Sequence, residues 1–159
     1  MKQISIISKI GIFISLSALF LVAAYFGKSV NYFGVALFSV GLVLGMGLLD
    51  ADERFLFKYY DPEHKQLATR SLLFLIALFP LGLFLLTSTG SSTGVGMFLG
   101  IISGLSLEFY SLRSNLPLFQ ARFLYQLKRN ITAQEHKLVT TIFIGFTFLY
   151  AFLVIFLGR

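Results

Sequence analysis

Long stretches without any charged residue constrain this chain more than any other feature. No Lys, Arg, Asp or Glu occurs in residues 10–27, 29–49, 71–107 or 138–158, which together hold 97 of the 159 residues. A bilayer core about 30 Å thick is crossed by a helix of roughly 20 apolar residues, so stretches of this length are typical of membrane spans. With 57% hydrophobic and 13% charged residues, the composition excludes a soluble enzyme, a nucleic-acid-binding domain and a disordered protein.

The pattern predicts an all-α fold, a polytopic membrane bundle of five helices. Three of the uncharged stretches fit one helix each, but residues 71–107 are too many for one helix. The turn-forming run TSTGSSTG at 87–94 divides that stretch into a hairpin. We therefore expect a single membrane domain over 1–159, with spans at about 10–28, 30–49, 67–87, 94–112 and 137–158.

The first span has an alternative interpretation as a signal peptide, because Lys2 and Lys9 precede it. Its apolar run of 18 residues exceeds the usual length of about 7–15 for such a segment, so we favour a retained helix. The basic residues predict the orientation, since only Lys28 and Arg159 lie away from the N-terminus and the two long loops. The positive-inside rule then places the N-terminus in the cytoplasm and the C-terminus outside a prokaryotic-type plasma membrane.

Two parts of the chain resemble each other. A Gly-x-x-x-Gly motif precedes an acidic residue in each part, and a Glu-His-Lys triplet containing one of the two histidines follows. The motifs run from Gly41 to Asp50 and from Gly100 to Glu108. A duplicated two-helix unit, over 30–88 and 93–158, would explain the likeness. The alternative is an independent preference for an acid and a base at inward helix starts, which leaves the histidines unexplained.

Glycines spaced four residues apart predict close helix packing, because residues four apart share a helical face. The packing candidates are Gly41, Gly45, Gly96, Gly100 and Gly104. Their partner is either another span of this chain or a second copy. In the third predicted span, Pro80 and Gly82 predict a kink.

The loop at 113–136 contains a predicted amphipathic helix that starts near Asn115 and Pro117. Apolar residues recur there at helical spacing, which is typical of a helix on the inner leaflet or of a protein-binding segment. The residues expected to contact anionic lipid are Arg122, Lys128 and Arg129. Thr132 and Glu135 match a capping box, so the last helix should start at residue 133.

Glu108 is the main candidate for chemistry, because ionisable residues inside spans often carry function. Arg113 lies near it in sequence, so a structural ion pair is the alternative. Weaker catalytic candidates are Asp50, His64 and His136, which could converge on a divalent cation or a lipid headgroup. The sequence contains no cysteine, no metal-ligand motif, no phosphate-binding glycine loop and no nucleophile elbow. We therefore expect no metal and no cofactor.

The sequence thus favours a small membrane protein that acts through helix packing, as a homo-oligomer or as a subunit of a membrane assembly. Membrane lipids and other membrane helices are the expected partners, and nucleic acid is not. Two alternatives remain open at this point. One is a small transporter or channel that uses Glu108, and the other is a membrane-embedded enzyme acting on a lipid-linked substrate.

Overall fold

The computed structural model describes residues 6–26, 32–56, 68–88 and 91–157. These ranges contain helices and connecting turns but no strand. The α-helices are α1 (Ile6–Phe26), α2 (Tyr32–Ala51), α3 (Leu72–Ser88), α4 (Ser92–Ser111), α5 (Leu116–Phe123) and α6 (Ala133–Leu157). A π-helical turn, Asp52–Leu56, extends α2, and a 3₁₀ turn, Ala68–Arg70, precedes α3. The all-helical prediction is therefore confirmed for the described part of the chain.

Three helical segments are long and apolar enough to cross a membrane: Tyr32–Phe55, Ser92–Ser111 and Ala133–Val154. Two shorter apolar stretches, Ile7–Val22 and Leu72–Thr87, lie in α1 and α3. By length and composition the described residues thus contain three candidate spans, and the prediction of five spans is not confirmed. The third α-helix begins about five residues later than expected, because the residues before it form the 3₁₀ turn.

Side-chain caps set the starts of two of the long helices. Ser91 precedes α4, and its hydroxyl accepts a hydrogen bond from the backbone N–H of Gly94 at 3.1 Å. Before α6, the backbone N–H of Thr132 donates to the Glu135 carboxylate at 2.8 Å, while the N–H of Glu135 donates to the Thr132 hydroxyl at 3.2 Å. This reciprocal pair is a capping box, and α6 begins at Ala133 as predicted.

The core of the bundle is the contact between α2 and α4, where glycines let the two backbones touch. A Cβ atom added at Gly41 would lie 2.8 Å from the backbone nitrogen of Met97, and one at Gly100 would lie 3.2 Å from the Cα of Leu42. No side chain fits at such distances, so the close approach requires glycine on both helices.

These contacts are reciprocal between the two helices. At four places a glycine faces a backbone carbonyl of the other helix: Gly41 faces Thr93, Gly96 faces Phe38, Gly45 faces Met97, and Gly100 faces Leu42. Adding 55 to a residue number in α2 gives the corresponding position in α4. With this shift, the contact of Gly41 with Thr93 corresponds to that of Gly96 with Phe38. The contact of Gly45 with Met97 corresponds in the same way to that of Gly100 with Leu42. The helices therefore run parallel around a local two-fold axis. In this contact Gly41 and Gly45 correspond to Gly96 and Gly100, whereas the repeat in the sequence aligns Gly41 with Gly100.

The other helices pack around this pair. α1 runs antiparallel to α2, with contacts along its length: Lys9 pairs with Asp50, Ser17 bonds to Ser39, and the ring of Phe20 stacks on Phe38. α6 runs antiparallel to α4, with contacts between Phe109 and Phe143, Ser106 and Thr147, and Phe98 and Tyr150.

α3 reaches the bundle at Gly82. A Cβ atom at Gly82 would lie 2.7 Å from the ring of Phe98 and 3.1 Å from the ring of Tyr150, so this glycine lets α3 approach both α4 and α6. Pro80 lies inside α3, which continues on both sides of it. The kink predicted at this position stays a prediction.

Candidate functional site

Four charged side chains from four different elements meet at one end of the bundle. They are Glu53 of the π-helical turn, Arg70 of the 3₁₀ turn, Glu108 of α4 and Arg122 of α5, and we call them the arginine–glutamate cluster. The centre of the cluster is a two-point contact: Nε of Arg70 donates to Oε2 of Glu108 at 2.6 Å, and Nη2 donates to Oε1. Arg70 is fully buried and Glu108 is 7% exposed. Such fork-to-fork pairing is the strongest geometry available to these two groups.

The other two members close the cluster into a ring. Nη2 of Arg70 donates to Oε2 of Glu53 at 3.3 Å, and Nη2 of Arg122 donates to the same oxygen at 3.2 Å. Nε of Arg122 lies 3.3 Å from Oε2 of Glu108, close enough for an ion pair though not aligned as a hydrogen bond. Each glutamate therefore contacts both arginines, and the four formal charges cancel.

The two glutamates of the cluster are related by the same shift of 55 residues as the glycine contacts. Glu108 follows Glu53 by 55 residues, which is also the distance from Gly41 to Gly96. Both glutamates thus continue the helices that touch through glycine. The arginines come from the segments that follow these helices, so each half of the arrangement contributes one acid and one base.

Carboxylates compensate the charge of Arg70 inside the protein. Burial lowers its pKa, but the hydrogen bond and the charge of Glu108, with the charges of Glu53 and Asp52, outweigh burial and raise the pKa of Arg70 above its ordinary value. Its Nη1 is buried and has no hydrogen-bond partner among the described residues. Arg70, a cation at any physiological pH, is therefore compensated by carboxylates within the protein.

Asp52 brings Arg70 to this position. Asp52 is 1% exposed, and its Oδ2 accepts hydrogen bonds from the backbone N–H and the hydroxyl of Thr69, the former at 2.8 Å. This pair of bonds ties the 3₁₀ turn to the end of α2. The next residue, Arg70, then extends to the end of α4.

α5 brings Arg122 to the cluster. The side chain of Asn115 accepts a hydrogen bond from the N–H of Leu118 at 3.2 Å, so the helix starts where the sequence predicts. Its apolar residues Phe119 and Phe123 are fully buried, with ring centroids 5.0 and 4.5 Å from that of Phe109. α5 therefore packs on the bundle. Arg122, expected to contact the inner leaflet, instead turns its guanidinium toward the two glutamates.

The two other residues expected to contact lipid are not part of the arginine–glutamate cluster. Lys128 is exposed. The side chain of Arg129 is 67% exposed, and its guanidinium pairs with Glu135 at 2.6 Å. The side chain of Gln120 holds this segment against α5, since it donates to the carbonyl of Arg129 at 2.7 Å and accepts from the N–H of Ile131 at 3.1 Å.

The catalytic candidates in the described ranges, Asp50, Glu108 and His136, each contact a different partner. Glu108 belongs to the arginine–glutamate cluster, whereas Arg113 lies 4.1 Å above the ring of Tyr110. Asp50 pairs with Lys9. His136 is 5% exposed and lies 4.1 Å from the ring of Phe119, centroid to centroid. His64 lies outside the described residues. Among the residues that are described, no three His, Asp or Glu side chains are grouped so that they could hold a metal ion.

Sequence reasoning missed Arg70 and the ion pairs that Glu53 makes with the two arginines. A signal for Arg70 was present, because this residue falls inside the predicted span 67–87. An ionisable residue inside a span is the criterion that singled out Glu108, and it applies equally to Arg70. Glu53 carries no comparable signal, because it stands in a charged loop segment.

Comparisons of the chain with protein-family models, with curated proteins and with solved structures find no match in any of the three. The function is therefore inferred from the geometry of the chain itself.

Proposed function

We propose that the chain is a membrane protein of five spans that acts through helix packing, as a homo-oligomer or as a subunit of a larger membrane assembly. α1 and α3 are the additional spans, with 21 and 17 residues. A helix of about 17 residues is the shortest that normally crosses a bilayer, so α3 lies at the lower limit. In this proposal the membrane is a plasma membrane, with the N-terminus in the cytoplasm and the C-terminus outside.

The observation that carries the packing role is the uneven burial of the long helices. Within an 18-residue apolar stretch of each candidate span, 61% of the residues are buried in α4 but 22% in α6. The glycine face of α4 is occupied by α2, so that face is not available to another protein. α6 leaves a broad apolar surface that includes Ile142, Phe148 and Leu149. A Cβ atom at Gly145 would have no atom within 4 Å, so a small residue lies open on this helix.

An open glycine beside large apolar side chains is the kind of surface on which a second helix packs closely in lipid. Gly11 of α1 and Gly47 of α2 are equally open, but α6 is the least buried of the three candidate spans, so we propose that association occurs through α6. Because the chain has no cysteine, single-cysteine variants give unambiguous crosslinks. We expect Phe148→Cys and Leu149→Cys to form disulfide-linked dimers in oxidised membranes. Leu73→Cys on α3 is the control, since Leu73 is 70% exposed on a different helix.

Equal crosslinking at α3 and α6 would indicate random collision and would contradict the assignment. A chain that is monomeric in mild detergent, with no stoichiometric partner and no crosslink at α6, would contradict the packing role altogether.

The two alternatives have less support. Transport through Glu108 would require its bonds to Arg70 and Arg122 to break in each cycle. An enzyme built on Asp50 or His136 would have to separate them from Lys9 and from the aromatic ring beside the imidazole. The described residues thus offer no unengaged carboxylate for acid–base chemistry.

We also propose that the chain arose by duplication of a two-helix unit, over 30–88 and 93–158. The reciprocal glycine contacts and the equivalent positions of Glu53 and Glu108 support this origin, with a shift of 55 residues. α5 then belongs to the second unit alone. If the units are equivalent, residues 1–88 and 89–159 expressed together as separate chains should copurify from membranes. Failure of the halves to associate would count against a modular origin.

A further inference from the structure

We propose that four exposed cations form a binding surface for the headgroups of anionic phospholipids. They are Arg54, Arg113, Lys128 and Lys137, and we call them the cationic rim. The inference rests on the proposed membrane location of the chain. It replaces the earlier expectation that Arg122 and Arg129 contact lipid.

The first observation is that the carboxylates of the described residues are already engaged. Five are present: Asp50 bonds to Lys9, Asp52 bonds to Thr69, Glu135 bonds to Arg129, and Glu53 and Glu108 belong to the arginine–glutamate cluster. Four of the eight described Lys and Arg residues are therefore paired with carboxylates of the described residues. The other four, which form the cationic rim, have no carboxylate partner in the described ranges.

The second observation is that two rim cations are followed in sequence by an exposed apolar residue, and a third lies over an exposed ring. Phe55, next to Arg54, is 68% exposed, and Leu138, next to Lys137, is 60% exposed. Arg113 lies over the ring of Tyr110, which is 53% exposed. A cation with an apolar neighbour matches the headgroup layer, where the charge meets phosphate and the apolar group meets the acyl chains. A soluble acidic partner would leave the apolar neighbours exposed to water, so lipid is the better fit.

The third observation is that the rim lies at one end of the bundle. Arg54 follows α2 and Arg113 follows α4, and these two helices run parallel. Lys137 stands in the first turns of α6, which runs antiparallel to α4, and Lys128 lies in the segment just before α6. The unneutralised charges thus share a level, which anionic headgroups of one leaflet can reach together.

The test uses the full chain in nanodiscs and compares spin-labelled phosphatidylglycerol with spin-labelled phosphatidylcholine by electron paramagnetic resonance. We expect the unmodified protein to prefer phosphatidylglycerol and to lose that preference as NaCl is raised. Each basic residue near an anionic surface strengthens association about fivefold. The quadruple variant, with Arg54→Gln, Arg113→Gln, Lys128→Gln and Lys137→Gln, should therefore show a much weaker preference for phosphatidylglycerol than the unmodified protein.

The matched control is the double variant Arg129→Gln with Glu135→Gln. It removes two partly exposed charges at the same end without changing the net charge, and Gln can replace Glu in a capping box. The control should keep the preference for phosphatidylglycerol. The single variants Arg113→Gln and Lys137→Gln should each lower it, which keeps the test decisive if the quadruple variant does not fold.

Several results would overturn the inference. One is an unchanged preference in the quadruple and single variants at low salt. Another is inhibition by inorganic phosphate beyond that of chloride at equal ionic strength, which would indicate a site for free anions. If the unmodified chain enters nanodiscs but shows no preference, this inference alone fails. If it does not enter the bilayer, the proposed membrane function fails with it.

Discussion

Glu108 shows how a charged residue inside an apolar helix is accommodated. Its carboxylate receives two bonds from Arg70 and a further contact from Arg122, and all three side chains are mostly buried. A buried pair of this kind need not raise stability above that of an apolar pair. Removing one partner, however, leaves the other charge buried and uncompensated. The cluster therefore fixes the arrangement of the elements that carry it.

The variant Glu108→Gln tests this role, because it removes the charge and keeps the size. We expect the free energy of unfolding to fall by about 3–5 kcal/mol, since the guanidinium of Arg70 loses its main counter-charge. Thermal unfolding in detergent, followed by circular dichroism, measures the change. Arg113→Gln is the control, because Arg113 is the partner that sequence proximity suggests and it lies over Tyr110 instead. Equal loss in the two variants would refute the observed pairing.

Tyr150 is a buried polar residue whose hydroxyl, unlike the carboxylate of Glu108, should be removable without loss of stability. Its ring is 2% exposed and lies 4.6 Å from that of Phe98, while its hydroxyl is buried without a hydrogen-bond partner in the described part of the chain. An unsatisfied buried polar group is unfavourable by about 1–3 kcal/mol, so Tyr150→Phe should leave the melting temperature unchanged or raise it. Tyr150→Leu, which also removes ring contacts, should lower it. A lower melting temperature for Tyr150→Phe would show that the hydroxyl has a partner.

At the scale of helices, the contact of α2 with α4 depends on the absence of side chains. A Cβ atom at Gly100 would lie 3.1 Å or less from the backbone of Leu42, so even alanine must push the helices apart. We expect Gly100→Ala to lower the free energy of unfolding by about 1–3 kcal/mol, as other overpacked interfaces do. Gly47→Ala on the exposed face of α2, where an added Cβ would have no atom within 4 Å, should instead raise it by about 0.5–1 kcal/mol, because alanine favours helix.

Chemical denaturation of both glycine variants in mixed micelles provides the comparison. If Gly100→Ala lowers the free energy of unfolding and the other glycine variant raises it, the internal contact is supported. If Gly100→Ala leaves this free energy unchanged, Gly100 lies on a free surface. The result also separates internal packing from self-association, since Gly100→Ala should alter the stability of the monomer.

α5 depends on its aromatic residues for docking. Phe119 is fully buried against Phe109 and lies beside His136. Phe119→Ala removes a large buried side chain, a change of about 3–5 kcal/mol in comparable cores, so α5 should separate from the bundle. Hydrogen exchange of the backbone over residues 116–123 should then accelerate, while exchange in α2 stays slow. Leu118→Ala is the control, because Leu118 on the same helix is 39% exposed. Uniform acceleration across all helices would indicate global unfolding instead.

Local signals in the sequence predicted helix starts better than helix partners. The capping residues before α5 and α6 could be recognised, because each cap involves residues within three or four positions. The partner of Glu108 could not be recognised in this way. Arg113 lies in the turn after α4, over the ring of Tyr110, although it is near Glu108 in sequence. Arg70 and Arg122 are distant in sequence and reach Glu108 through turns whose course depends on Asp52 and on buried aromatic rings.

The sequence also did not predict which turn of α2 contacts which turn of α4. A glycine stripe shows which face of a helix can approach another backbone, but the surface it meets consists of carbonyl groups that every residue has. Side-chain identity therefore does not determine which turn of α2 faces which turn of α4. The glutamates at the ends of these helices are consistent with this register, because with a shift of 55 residues both contact the same two arginines.

At the scale of the whole molecule, the proposed orientation makes a prediction about the two ends of α4. Ser91 and Asn130 are both exposed, and they lie beyond opposite ends of that helix. In right-side-out vesicles, Ser91→Cys should react with a membrane-impermeant maleimide, whereas Asn130→Cys should react only after the membrane is permeabilised. The absence of native cysteine makes each label specific. If Asn130→Cys alone reacts in intact vesicles, the orientation is inverted, because the bundle crosses with its cationic end outside. If both react without permeabilisation, α4 does not cross the membrane, and the apolar exterior must be covered by protein instead.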